Sequence, residues 1–118
     1  MDWSNKKEVI EKVKRSAVAL KKASLFQDDE EVVEVAVKSC GMAIEFASER
    51  VRIERPDLVK IALSSHGRAI LHLPEYINDI EMIVVAYEND ESISKYYKDN
   101  PIILRQLQLY NYQKKFER

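Results

Sequence analysis

Cys40 and His66 are the residues in this sequence with the strongest chemical potential, and each stands immediately before one of its only two glycines, Gly41 and Gly67. A thiol beside an imidazole suits metal ligation or a nucleophile and base pair. Two such ligands, even with His72 and Glu75 added, fall short of the close-set Cys/His clusters that hold structural zinc. A Cys/His nucleophile also needs an orienting group and oxyanion donors, and no motif in the sequence marks them. A phosphate-cradling glycine loop is missing as well. The chain is therefore expected to have no catalytic residues, no metal and no cofactor. Cys40 is expected to pack as a small hydrophobe, and His66 to donate to backbone carbonyls at a helix end.

What would bring Cys40 and His66 together is a repeat. Glu31 to Ser48 lies over Asp57 to Pro74 with apolar on apolar or small positions except at Met42 and Phe46, and the shared punctuation is the glycine. An earlier copy runs from Glu8 to Ser24 with Ala17 at the glycine position, and a blurred fourth from Glu81 to Tyr97. Val32, Val33, Ala36 and Val37, like Leu58, Val59, Ala62 and Leu63, follow the i, i+3, i+4 spacing of one helical face. Gly41 and Gly67 then fit a C′ position with φ > 0, followed by a second short helix carrying Ala43, Ile44 and Ala47 or Ala69, Ile70 and Leu73.

Helix starts recur in register. Asn5/Glu8, Asp28/Glu31 and Asn78/Glu81 match capping boxes, so Asn5, Asp28 and Asn78 are the expected N-caps. In the third copy Pro56 takes an early helical position, where its missing N–H costs nothing. Ile53 and Ile77 precede their caps as candidate hydrophobic staples. Asp99-Asn100-Pro101 opens a last segment, read as a capping helix although residues 107–112 partly alternate like a strand. The expected fold is thus all-α: one domain over 1–118, an α-solenoid-like array of about four helix-turn-helix repeats (5–27, 28–53, 54–77, 78–98) with a cap over 99–118.

The pattern at Glu31 to Ser48, Glu-Val-Val, Ala-Val-Lys, Gly, Ala-Ile and Ala-Ser, resembles a family of short helical repeats known as domain of unknown function 4116, over about residues 5 to 98. That resemblance implies a helical-repeat fold and carries no reaction, cofactor or site residue.

Composition supports a folded domain: 46% of residues are hydrophobic and 33% charged, with a net charge of −1. Such a balance gives no overall electrostatic footprint for nucleic acid or an anionic membrane. With no signal-like start, no run of about 18 apolar residues and a single cysteine, a cytoplasmic location is expected. Charge is nevertheless segregated. Residues 1–24 carry seven basic and three acidic side chains and 95–118 six and two, whereas 25–94 carry six and fifteen. In a stacked array Glu30, Glu34, Glu45, Glu49, Glu81 and Glu88 would line an acidic belt.

These features make a non-catalytic protein-interaction module the leading expectation, with a basic partner docking on that belt and the chain monomeric or weakly self-associating. The alternative is nucleic-acid binding through the basic first helix, with Lys7, Lys14, Arg15, Lys21 and Lys22 on phosphates. An enzyme of unrecognised class is the third reading. Trp3, Tyr96, Tyr97, Tyr110 and Tyr112 are expected to close the exposed ends of the core rather than to bind a ligand.

Overall fold

The computed structural model describes residues 3–116, and among these every regular element is helical. The α-helices are α1 (Lys6–Val13), α2 (Val18–Lys22), α3 (Glu30–Ser39), α4 (Glu49–Glu54), α5 (Pro56–Ser65), α6 (Ile80–Asn89) and α7 (Pro101–Lys114). Four 3₁₀ segments, Ser24–Phe26, Gly41–Phe46, Gly67–His72 and Glu91–Tyr97, lie between them. No described helix is long and apolar enough to cross a membrane.

One register governs the five principal helices α1, α3, α5, α6 and α7. Their N-caps are Asn5, Asp29, Arg55, Asp79 and Asn100. The fourth residue after the cap is buried Val9, Val33, Val59 and Ile83 in turn, then half-buried Leu104. The eighth is Val13, Val37, Leu63 and Tyr87, all buried. Burial of one stripe against the next helix is what stabilises helices this short, which are marginal alone.

Ion pairs and hydrogen bonds between helices also fix direction. Lys6 at the start of α1 pairs with Asp29 and Glu31 at the start of α3, and Arg55 before α5 pairs with Glu30 and Glu34 of α3. Lys60 of α5 reaches Glu81 of α6. At the opposite edge Cys40 meets His66, and Asn89 at the end of α6 bonds Ser64 near the end of α5. Starts lie beside starts and ends beside ends, so α1, α3, α5 and α6 run parallel. The result is elongated: the radius of gyration is 15.8 Å and the extents 50 × 30 × 22 Å, against about 13 Å for a compact domain of this length.

Several local expectations are corrected. Gly41 and Gly67 do not adopt positive φ, and no described residue does. The chain leaves α3, α5 and α6 through C-caps of strongly negative φ, Cys40, His66 and Asp90 at −155, −139 and −143, and so needs no left-handed residue. The segment after each glycine is 3₁₀ rather than α, although Ala43, Ile44, Ala69, Ile70 and Leu73 are buried as its apolar spacing requires.

The N-caps of α3 and α6 are Asp29 and Asp79, one residue beyond the expected Asp28 and Asn78. Asp29 accepts from the N–H groups of both Glu31 and Val32, whereas Asp28 is drawn away by Ser48 Oγ at 2.6 Å and Arg50 Nε at 2.8 Å. Asn5 caps α1 as expected, accepting from Glu8 N. Ile53 is no staple: it lies within α4 and is exposed. α4 itself was unforeseen, though Ser48, which accepts from Val51 N, is a cap the sequence displays. The C-terminal segment is a helix, capped by Asn100 with Pro101 in its first turn.

Candidate interaction surfaces

At the edge formed by the helix ends, Cys40 and His66 come together, with Sγ 4.0 Å from Nε2. His66 Nδ1 lies 3.0 Å from Ser65 Oγ, so the ring engages a thiol and a hydroxyl rather than the backbone carbonyls expected of it. Cys40 is half-buried. His66 and His72 line a cleft of about 480 Å³ with Arg68, Asn89 and Asp90. Among the described residues no group of three or more His, Cys, Asp or Glu is placed to hold a metal ion. Glu75 points elsewhere: its Oε1 lies 2.5 Å from Arg52 Nε, with both side chains largely buried.

Asn89 is the residue that sequence reasoning missed. Its Oδ1 accepts from Gly67 N at 2.7 Å and its Nδ2 donates to Ser64 O at 3.1 Å, tying the exit of α5 to the end of α6. An exposed Asn at a helix end carries no mark of partners more than twenty residues away.

The expected acidic belt does not lie on one edge: Glu30, Glu34 and Glu81 stand near helix starts, whereas Glu88 stands at the end of α6 beside Asn89. Glu30 accepts from Arg50 and Arg55, Glu34 from Arg55 and Lys38, and Glu81 from Lys60, while Glu88 lies 3.9 Å from Lys114. The Arg55 guanidinium, with Lys38 behind it, holds the Glu34 carboxyl below its ordinary range, and Lys60 does the same to Glu81. Arg55 also grips Asp57 through two hydrogen bonds. Glu45 and Glu49 make no such pair among the described residues, so they are the belt's available charges. The arginines that neutralise Glu30 and Glu34 stand 20 to 25 residues away along the chain, and their signs alone did not show which carboxylates they would reach.

The basic end builds a third feature. Trp3, half-buried against the core, lines a cleft of about 370 Å³ with Lys12, Arg15, Ser16, Val18, Ala19 and Lys22. Of the other residues expected to close the ends, Tyr97 is buried and donates to Ile77 O at 2.6 Å, and Tyr110 is half-buried, whereas Tyr96 and Tyr112 are exposed.

Residues 5–52 match the family model described as Domain of unknown function (DUF4116). That span contains α1 to most of α4 and the residues Glu31 to Ser48 on which the resemblance rests, and it is shorter than the 5–98 expected. No curated protein and no solved structure gave a significant match to the chain.

Proposed function

We propose that the chain is a non-catalytic interaction module of the α-solenoid type, with repeats following the register Asn5, Asp29, Arg55 and Asp79. The observation that carries this reading is the set of cross-helix rungs Lys6–Asp29, Arg55–Glu34 and Lys60–Glu81, which hold successive helix starts side by side. A row of parallel helices locked in this way presents a long, rigid edge, and such edges are what repeat arrays offer to partners. The docking surface proposed is the central acidic region, with Glu45 and Glu49 as its free charges and a Lys/Arg-rich peptide as its partner. Exposed charges of this kind act mainly on association rate and weaken with salt.

Titration with a ten-residue lysine peptide and its glutamate counterpart tests the proposal. The lysine peptide is expected to bind at low salt, to weaken on added salt, and to lose at least about tenfold in affinity, a loss of about 1.4 kcal/mol, when Glu45 and Glu49 are reversed to lysine. Absence of lysine-peptide binding, or equal binding of both peptides, overturns the acidic docking surface.

The Trp3 cleft favours a second reading, anion or single-stranded nucleic-acid binding. Lys12, Arg15 and Lys22 form no ion pair among the described residues, and cations beside an aromatic face are the elements of a phosphate-and-base site. Trp3 is the sole tryptophan, so its fluorescence reports binding directly. No change on adding oligonucleotide at low salt removes this reading.

A further inference from the structure

Helix α7 breaks the surface pattern of the array. In α3 the second, fifth and ninth residues after the N-cap are Glu31, Glu34 and Lys38, and in α5 they are Asp57, Lys60 and Ser64. These positions face water or join a rung. In α7 the same positions are Ile102, Arg105 and Leu109, followed at the same face by Tyr112 and, in the turn just beyond the helix, Phe116. Ile102 is 74% exposed, Leu109 47%, Tyr112 63% and Phe116 71%.

The spacing i, i+3, i+7, i+10, i+14 keeps all five within one narrow stripe. It lies opposite the stripe that buries Ile103 and Leu107 against the rest of the fold. α7 therefore has two apolar faces, one packed and one open.

We infer that the open face of α7 is a homodimerisation surface, taken by α7 of a second copy in antiparallel, two-fold symmetric packing. The stripe is complementary to itself about Leu109. Ile102 and Phe116 stand seven residues to either side of it, about 10.5 Å along the axis. A two-fold axis beside Leu109 sets Ile102 against Phe116 of the second copy and Leu109 against its own equivalent. The same operation sets Arg105, the only charge in the stripe, against the ring of Tyr112 in the second copy, a cation–π arrangement.

Head-to-tail stacking on the other end of the array is disfavoured by charge. The third and seventh residues after the cap, which pack inward as Val32 and Ala36 or Leu58 and Ala62, are Glu8 and Lys12 in α1, beside exposed Lys7. An apolar stripe laid there would desolvate unpaired charges. Two helices of 14 residues meet over only a few hundred Å² per partner, less than the roughly 800 Å² of a standard stable interface, so association is weak and concentration-dependent.

Sedimentation equilibrium from about 1 µM to about 1 mM tests the dimer. The wild-type chain is expected to pass from monomer to dimer across that range. Leu109→Glu and Leu109→Lys, which bring like charges together at the axis, are each expected to remain monomeric with an unchanged circular dichroism spectrum. An equimolar mixture of the two variants is expected to dimerise again, because residue 109 meets its own equivalent at the two-fold axis. Reversing Glu8 and Lys12 is expected to leave self-association unchanged. A wild-type chain that stays monomeric throughout, a dimer that survives Leu109→Glu, a mixture that fails to recover, or a dimer lost on reversing Glu8 and Lys12 each overturns the proposal.

Discussion

The carbonyl of Ala86 fills the space in which a side chain on Gly67 would begin. One unit earlier, a Cβ on Gly41 would stand 2.6 Å from the carbonyl oxygen of Ala62 and 2.6 Å from Ser65 Oγ. Each turn glycine thus lies against the alanine at the seventh position of the following helix. The pair sets how closely one unit approaches the next, since small residues on both sides let the backbones meet.

Gly67 and Gly41 should accordingly respond to side-chain volume rather than to handedness. Gly67→Ala is expected to destabilise by about 1–3 kcal/mol, the range for overpacking against unyielding backbone. Gly67→Asn should be worse than alanine. At a left-handed cap the order reverses, because asparagine is the next-best residue there. Urea melts of the two variants give the order directly.

The cap assignments predict unequal effects from neighbouring residues. Asp29→Ala and Asp79→Ala are each expected to cost about 1 kcal/mol through loss of an N-cap. Asn78→Ala should change stability by less than about 0.5 kcal/mol, the ordinary size of a surface substitution. Thermal denaturation of the three variants checks this, and equal losses at positions 78 and 79 would contradict the assignment.

Arg52 and Glu75 form the most enclosed ion pair among the described residues, with side chains 12% and 14% exposed. Arg52 also donates to Glu45 O, and Tyr76 Oη donates to Arg52 O at 2.6 Å. Glu75→Ala alone leaves a largely buried guanidinium unpaired and is expected to cost about 3 kcal/mol. Adding Arg52→Met should restore much of that loss, and a double-mutant cycle by urea denaturation measures the recovery.

Stability should decline at both ends of the pH scale. Asp28 is held below its ordinary value by the Ser48 hydroxyl and then by Arg50, and Asp57 by Arg55. Carboxylates lowered in the folded state contribute stability above their unfolded values near 4, and that contribution is lost as pH falls through the folded ones. These groups are exposed, so high salt should shrink the acid effect.

At the alkaline end, burial pushes the Tyr97 hydroxyl up to about 12 from 10. The folded state keeps a proton that the unfolded chain gives up, so its contribution is complete below pH 10 and is lost as pH rises toward 12. Tyr97→Phe should reduce the alkaline slope while costing about 1 kcal/mol at neutral pH for the hydrogen bond to Ile77 O. Urea midpoints across pH measure both effects.

By itself the sequence determined the helical class and the buried faces of α3 and α5. Those depend on local periodicity: the apolar spacing of Val32 to Val37 and Leu58 to Leu63 names a face, and Pro56 and Pro101 name starts. It also pointed to Cys40 and His66 as neighbours, since each precedes a glycine after a helix of the same apolar pattern. Only the tertiary structure decided between Asp28 and Asp29 as cap, because the choice depends on Ser48 and Arg50, twenty residues distant. It decided that Gly41 and Gly67 are small for the sake of Ala62 and Ala86, a clearance between units that no local rule contains. It likewise decided which carboxylates of the acidic region are free, since Arg50 and Arg55 select partners by reach and geometry. Periodicity is a property of one helix and can be read along the chain, whereas clearance and ion-pair choice are properties of two and exist only once the helices have packed.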